Sequence, residues 1–111
     1  MFERKRQGAV SVVVGDAPLT KELLGQLQTV FEPLLRTGQP RVVFDLHEVP
    51  LLDSAGLELL LDMQDALEQR GGELKLAAPT TLLHEALTIT GVSRRFEIFK
   101  DAMSAVGSFV Q

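Results

Sequence analysis

The sequence predicts one α/β domain with a mostly parallel sheet. Short Val- and Leu-rich segments alternate with segments whose apolar residues recur every three or four positions, the pattern of strands alternating with amphipathic helices. The apolar run at residues 42–44 is continuous rather than alternating, as expected for a strand that is covered on both faces. Strands that alternate with helices are joined by right-handed crossovers, which place neighbouring strands in parallel.

Length and composition are those of a single globular domain. The chain has 111 residues and 45% hydrophobic residues, enough for one core. We therefore predict one domain over residues 1–111. Residues 1–7 are predicted to be a flexible leader, because the basic cluster Arg4-Lys5-Arg6 is favoured as a solvated terminus over a phosphate-binding arm.

Charge and cysteine content exclude several classes of protein. The net charge of −4 argues against a nucleic-acid partner, and the absence of cysteine excludes disulfides and thiolate metal sites. No apolar run approaches the roughly 20 residues that span a bilayer, and no signal-peptide core follows the basic cluster. We predict a cytoplasmic protein with no membrane insertion.

The first predicted strand covers residues 8–14, which are rich in Val and flanked by Gly. Turn residues follow at 15–18, and a helix with one apolar face is predicted from residue 23 to 35. Thr20 or Asp16 is available to cap it, and Gly38 and Pro40 close it. Pro33 lies inside the helical pattern and should end or bend the helix one turn early.

The second strand is predicted at residues 41–46 and is followed by the clearest helix of the chain, at residues 54–70. Gly71-Gly72 ends this helix. Its inward positions are predicted to be Leu57, Leu60, Leu61, Met63 and Leu67, and its outward stripe Glu58, Asp62, Asp65 and Gln69.

The last third of the chain continues the alternation. Residues 73–78 alternate as a third strand, a short helix runs from the Pro79-Thr80-Thr81 segment to residue 90, and residues 96–99 form a short fourth strand. Asp101 is a candidate cap for a final helix that ends near residue 109. The predicted order is therefore β-α repeated four times.

The segment Leu51-Leu52-Asp53-Ser54-Ala55-Gly56-Leu57 is the leading candidate for function. It places a serine hydroxyl at the start of a helix, where free N–H groups and the positive helix end converge. The simplest interpretation is that Asp53 and Ser54 only cap the helix. The alternative is a modification site, because the small residues Ala55 and Gly56 leave the hydroxyl accessible. A phosphate there adds about −1.5 to −2 charges and is locally favourable by about 0.3–1 kcal/mol.

Catalytic interpretations of these residues have little support. A nucleophilic Ser54 needs a positioned base, and the two histidines are His47, in a loop, and His84, beside Glu85 on a helix. Asp45 and Asp53 form a possible cation pocket, but strand-end and helix-cap roles are favoured. No Gly-rich phosphate loop or Gly-x-Ser-x-Gly motif is present. We predict no enzymatic activity, cofactor or metal.

Two charged groups remain as candidate contacts for a partner. The acidic stripe on the helix that Ser54 opens is either a solvated face or a docking surface for a basic partner. Arg94-Arg95 is either solvated or able to hold a phosphate or a carboxylate of a partner.

Several motifs together resemble a known family. The chain resembles the STAS domain of bacterial anti-sigma factor antagonists in successive segments. These are Val-Val-Phe-Asp-Leu, the short spacer after it, Leu-Leu-Asp-Ser-Ala-Gly-Leu, the Leu-rich helix and Gly-Gly-Glu-Leu-Lys-Leu. The segments at residues 87–92 and 96–99 resemble the closing part of that family. The resemblance implies a small α/β domain with a mixed, four- to five-stranded sheet, about four helices and a first strand at the edge.

The resemblance also implies a function without catalysis. Such an antagonist binds an anti-sigma factor that is also a serine kinase, phosphorylation of the serine breaks the complex, and a phosphatase resets it. By position the phosphoacceptor is Ser54, and Asp53 and Gly56 shape its loop. Ala55 replaces a second hydroxyl residue of many relatives, and the acidic residue that relatives carry before the first helix is either missing or displaced to Asp16.

The expected partner surface therefore runs from the phosphoacceptor along the following helix. Its residues are Asp53, Ser54, Ala55, Gly56, Leu57, Glu58, Asp62 and Asp65. The alternative function is a constitutive STAS subunit of a larger complex, such as a lipid-transport ATPase or a signalling scaffold.

Overall fold

A computed structural model, which describes residues 1–36 and 38–110, contains one five-stranded sheet in the order β1-β2-β3-β4-β5. The strands are Phe2–Gln7 (β1), Val10–Gly15 (β2), Arg41–Asp45 (β3), Glu73–Ala77 (β4) and Ile98–Phe99 (β5). β1 runs antiparallel to β2, and every other neighbouring pair is parallel. The predicted α/β fold with a mixed, mostly parallel sheet is confirmed.

The helices cover both faces of this sheet. They are Leu24–Phe31 (α1), Ser54–Gln69 (α2), Thr81–Ile89 (α3) and Ala102–Ser108 (α4). The larger core cluster joins the first three helices to the face that carries Val42 and Phe44, whereas Ala105 of α4 packs in a second cluster with Val43. Both faces of β3 are therefore apolar, which explains its continuous hydrophobic run. In the part of the chain that is described, no helix is long and apolar enough to cross a membrane.

The first strand of the sheet was not predicted. Residues 1–7 were expected to be a flexible leader, and this expectation is wrong, because Phe2–Gln7 form β1 at the edge of the sheet. The strand is held by its pairing with β2 and by the buried ring of Phe2. Gly15 makes room for that ring, since a Cβ at Gly15 would lie 2.2 Å from Phe2 Cδ1. Gly8, at φ 63°, lies in the turn between the two strands, so the next strand begins at Val10.

The helix after β2 ends where proline predicts. α1 ends at Phe31, and a 3₁₀ segment, Glu32–Arg36, follows with Pro33 inside it. This confirms the expected early end of the helix, because proline has no N–H to donate to the helix ladder. Neither proposed cap is used: Thr20 makes no side-chain cap hydrogen bond, and Asp16 pairs with the amino group of Met1.

The later elements agree with the sequence apart from their bounds. β5 has two residues instead of four, because a 3₁₀ turn, Val92–Arg95, and the extended residue Phe96 precede it. The predicted cap of α4 is confirmed, since Asp101 Oδ1 accepts from Ser104 N at 2.7 Å.

The inward face of α2 differs from the predicted one. Leu60 and Leu67 are buried as expected, and Leu57, Leu61 and Met63 are half-buried at the rim of the core. Leu59 and Gln64 are also buried and were not predicted. Gln64 bonds the main chain of two other elements: its Nε2 donates to Leu74 O at 3.0 Å and Arg95 O at 2.8 Å, and its Oε1 accepts from Leu74 N at 2.8 Å. These bonds fix the middle of α2 against β4 and the following 3₁₀ turn.

Candidate functional site

Two loops meet at the start of α2. Leu19, in the segment after β2, is buried and forms a parallel bridge with Leu52, in the segment after β3. Leu19 N donates to Leu51 O at 3.0 Å, and Leu19 O accepts from Asp53 N at 3.1 Å. Because both segments leave the carboxyl ends of parallel strands, the bridge closes this edge of the sheet. It fixes the backbone immediately before Ser54.

Asp53 is the N-cap of α2. Its Oδ1 accepts from Gly56 N at 2.8 Å, and its Oδ2 accepts from Lys21 N at 3.0 Å. The hydrogen bond from Gly56, followed by that from Lys21, lowers the pKa of the Asp53 carboxyl, because both stabilise its ionised form. Asp53 therefore caps α2 and also binds the segment between β2 and α1 through Lys21 N. Lys21 was not predicted to take part, since its contact is made by the backbone and leaves no side-chain signal in the sequence.

Gly56 is required by close packing. A Cβ at this position would lie 2.2 Å from Leu19 O, far inside van der Waals contact. Gly56 is buried and helical, so its role is to let α2 approach the backbone of Leu19, in the segment after β2.

Ser54 is the first residue of α2, and its side chain is exposed. The interpretation of Ser54 as a cap is wrong, because Asp53 fills that role. Within residues 1–36 and 38–110, no hydrogen bond involves the Ser54 hydroxyl. A rigid backbone thus presents an unengaged hydroxyl to solvent.

The remaining predicted surface residues divide into three groups: Leu57 packs half-buried against the core, three residues line a groove, and Asp65 lies apart. Ala55, Glu58 and Asp62 line a groove of about 240 Å³, whose other wall includes Leu24 and Gln28 of α1. These two α1 residues were missed, because contact between separate helices has no local sequence signal.

Asp65 lies outside the residues that line this groove. Its Oδ1 is 2.6 Å from Arg95 Nη2, which also lies 3.1 Å from Glu68 Oε1. Arg95 is thereby engaged by its own chain, and Asp65 is a weaker candidate for a partner contact than Glu58 or Asp62.

Neither histidine is hydrogen-bonded to the Ser54 hydroxyl in the described part of the chain. His47 Nδ1 lies 2.9 Å from Asp45 Oδ1, which also accepts from His47 N at 3.1 Å. Asp45 and Asp53 are therefore each engaged by different groups. Across the described residues, no three His, Cys, Asp or Glu side chains form a group that could hold a metal ion. His84, on α3, is exposed.

Solved structures share this fold over nearly the whole chain. An anti-sigma factor antagonist from Mycobacterium paratuberculosis superposes with a TM-score of 0.89 at 20% identity, covering 100% of this chain and 94% of that one. The Bacillus cell fate determinant SpoIIAA in its phosphorylated form gives a TM-score of 0.76 at 15% identity, covering 98% and 99%. The murine anion transporter Slc26a9 gives 0.80 at 17% identity, covering 92% of this chain but 18% of the transporter. No curated protein matches the chain.

The family is established by a match to the sequence itself. The sequence-family model of the STAS domain matches residues 2–105, which include every strand, α1 to α3 and the Asp53–Ser54 helix start. The chain therefore belongs to the STAS domain family.

Proposed function

We propose that this chain is a cytoplasmic anti-sigma factor antagonist that acts as a phosphorylation-controlled protein-binding switch without enzymatic activity. In its unphosphorylated form it sequesters an anti-sigma factor with serine kinase activity, and phosphorylation of Ser54 releases that partner. A phosphatase that acts on the modified Ser54 restores binding. The observation that carries the proposal is the exposed, unengaged Ser54 hydroxyl on a helix start fixed by its neighbours.

The geometry supports a phosphate that changes docking and leaves the fold intact. Asp53 already accepts from Gly56 N, so a phosphate on Ser54 would not need to displace a buried group. The positive end of α2 favours negative charge by about 0.3–1 kcal/mol. The Asp53 carboxylate, in contrast, repels the phosphate and directs it toward solvent.

The charge of the adjoining groove suggests how release occurs. Glu58 and Asp62 are exposed and make no ion pair within the described part of the chain. They provide an acidic wall for a basic partner surface, next to Ala55 and Ser54. We assign direct contacts to these four residues, whereas Asp53, Gly56 and Leu57 hold the helix start and Asp65 contributes at the far end. A phosphate on Ser54 adds bulk and about −1.5 to −2 charges at the edge of this surface, which excludes the partner.

The structural relatives support the same assignment. One is named as an anti-sigma factor antagonist, and another was solved in a phosphorylated form. Both share the fold across nearly their whole lengths.

The proposal is tested by phosphorylation in vitro. The partner is isolated by pull-down from the native cell and incubated with the purified chain and ATP, and peptide mass spectrometry locates the phosphate. We expect a single phosphate on Ser54, none on Ser54→Ala and normal labelling of Thr81→Ala. Thr81 is the matched control, since it is an exposed hydroxyl residue at the first position of α3. Labelling of the chain at any position other than Ser54 would contradict the acceptor assignment.

A second candidate function is a constitutive STAS subunit of a larger complex, such as a lipid-transport ATPase or a signalling scaffold. It is favoured by the murine transporter, in which a domain of this fold makes up a small part of the whole chain. Co-purification separates the two functions: a membrane ATPase supports the subunit, whereas a kinase-like anti-sigma factor supports the switch.

A further inference from the structure

The end of the sheet opposite Ser54 carries a basic cavity that the proposed switch does not use. Ser54 follows the carboxyl end of β3, whereas Arg41 begins this strand. Arg41 lines a cavity of about 180 Å³ together with Arg6 at the end of β1, Ser11 of β2 and Gln39. The other described lining residues are Ala9, Gly38 and Pro40, so the described lining contains no acidic side chain.

Neither guanidinium group forms an ion pair with a described residue. Arg36 and Arg95 form ion pairs with carboxylates of their own chain, but Arg6 and Arg41 form none within residues 1–36 and 38–110. Glu73, the neighbour of Arg41 on β4, does not line this cavity; it lines an adjoining cavity, which Arg41 and Gln39 line as well. Two positive groups that line one cavity repel each other, and an anion between them would relieve this repulsion.

Ser11 supplies a second, independent observation. Ser11 is only 6% exposed, yet its hydroxyl makes no hydrogen bond with any described residue. Every fully buried side-chain N or O atom in the described part of the chain has a partner, so the Ser11 oxygen is not fully buried, and Ser11 is one of the residues that line the cavity. Ser11 is also the direct cross-strand neighbour of Arg6. A hydroxyl without a partner on a nearly buried residue, beside an arginine that forms no ion pair with the described residues, is a donor available to a ligand.

We propose that this cavity binds a phosphate group. Arginine presents its donors as a planar fork that matches the oxygens of phosphate or carboxylate. Two such forks, with the Ser11 hydroxyl and the Gln39 amide, offer more donors than the two oxygens of a carboxylate can accept. The tetrahedral arrangement of phosphate oxygens uses this donor set more completely. The ligand is therefore free inorganic phosphate or the phosphate of a monoester.

Nuclear magnetic resonance titration of the full chain tests this site. We expect saturable shifts of the Arg6, Ser11 and Gln39 amides on addition of inorganic phosphate or O-phosphoserine, with weaker binding of acetate at matched ionic strength. Arg6→Gln and Arg41→Gln should each weaken binding about tenfold. Arg4→Gln is the matched control, because Arg4 lies on the same strand but lines a different cavity with α1 residues. It should bind like the parent.

The relative affinity of the two phosphate probes identifies the source of the ligand. Tighter binding of O-phosphoserine indicates a monoester, and tighter binding of inorganic phosphate indicates the free ion. Absence of saturable shifts, equal binding of acetate, or equal weakening in Arg4→Gln would overturn the proposal. Because both arginines are exposed, these variants are expected to fold normally.

Discussion

The carboxylate of Asp53 and the backbone N–H of Lys21 join the start of α2 to the 3₁₀ turn Lys21–Leu23, which is distant in the sequence. Asp53 Oδ2 accepts this bond at 3.0 Å, while its Oδ1 caps α2 through Gly56 N. One side chain therefore sets both the start of the helix and the position of the loop beside it. Ser54, the next residue, takes its position from this arrangement.

Substitution of Asp53 should lower stability in two steps. Asp53→Asn retains one carbonyl oxygen for Gly56 but loses the acceptor for Lys21, and Asp53→Ala loses both. We expect the free energy of unfolding to fall from the parent to Asp53→Asn and further to Asp53→Ala, as measured by urea denaturation. Asp62→Ala is the control, because Asp62 is exposed and caps no helix. Equal stability of Asp53→Ala and the parent would show that the two bonds contribute nothing.

The contribution of Asp53 should depend on pH. Its pKa in the folded state is lowered, chiefly by Gly56 N–H and then by Lys21 N–H, from an unfolded value of about 3.9. A lowered folded-state pKa gives stability that is present above the unfolded pKa and is lost as pH falls through the folded pKa. The stability difference between the parent and Asp53→Asn should therefore be constant near neutral pH and shrink under acid. Denaturation between pH 7 and pH 2.5 checks this, and a difference that grows under acid would contradict it.

Two glycines in helices should respond oppositely to alanine. Gly56→Ala places a Cβ 2.2 Å from Leu19 O, so it should destabilise the protein by about 1–3 kcal/mol. Gly25→Ala meets no atom within 4 Å and should stabilise α1 by about 0.5–1 kcal/mol. Thermal and urea denaturation of both variants measure the contrast. A stabilising Gly56→Ala would refute the role assigned to the Leu19 contact.

Gln64 should be a large contributor to stability despite its polarity. Gln64→Leu has a similar volume but removes the hydrogen bonds that Gln64 makes to the Leu74 N–H and to the carbonyl oxygens of Leu74 and Arg95, at a cost of about 2–4 kcal/mol. Gln69→Leu, at the exposed end of the same helix, should change stability little. Urea denaturation of the two variants provides the comparison. Similar values for the two would mean that water satisfies Leu74 equally well.

The fold was largely predictable because its strands and helices differ in hydrophobic period. The exception is β1, which has one buried apolar residue, Phe2, followed by five exposed residues. Its pattern carries no local strand signal, and pairing with β2 determines its structure. Gln64 was missed for a related reason, since a glutamine is buried only when distant backbone groups satisfy it.

The candidate site was predicted in part. The sequence indicated a helix start at Ser54 with small residues after it, and the structure confirms that start. The sequence could not show which of Asp53 and Ser54 caps the helix, because both residue types are favourable caps. Only the hydrogen bonds from Lys21 N and Gly56 N to the Asp53 carboxylate distinguish them. The need for glycine at position 56 was not predictable either, because it comes from close packing against Leu19, which lies 37 positions earlier in the sequence (56 − 19).

The proposed switch is tested by the affinity of the chain for its anti-sigma partner before and after negative charge is placed at Ser54. By isothermal titration calorimetry, we expect Ser54→Ala and Thr81→Asp to bind like the parent, and Ser54→Asp and the Ser54-phosphorylated chain to bind at least about tenfold more weakly, a loss of about 1.4 kcal/mol. Thermal denaturation should show that all four remain folded. Unchanged affinity of the phosphorylated chain would show that Ser54 does not control binding of the partner.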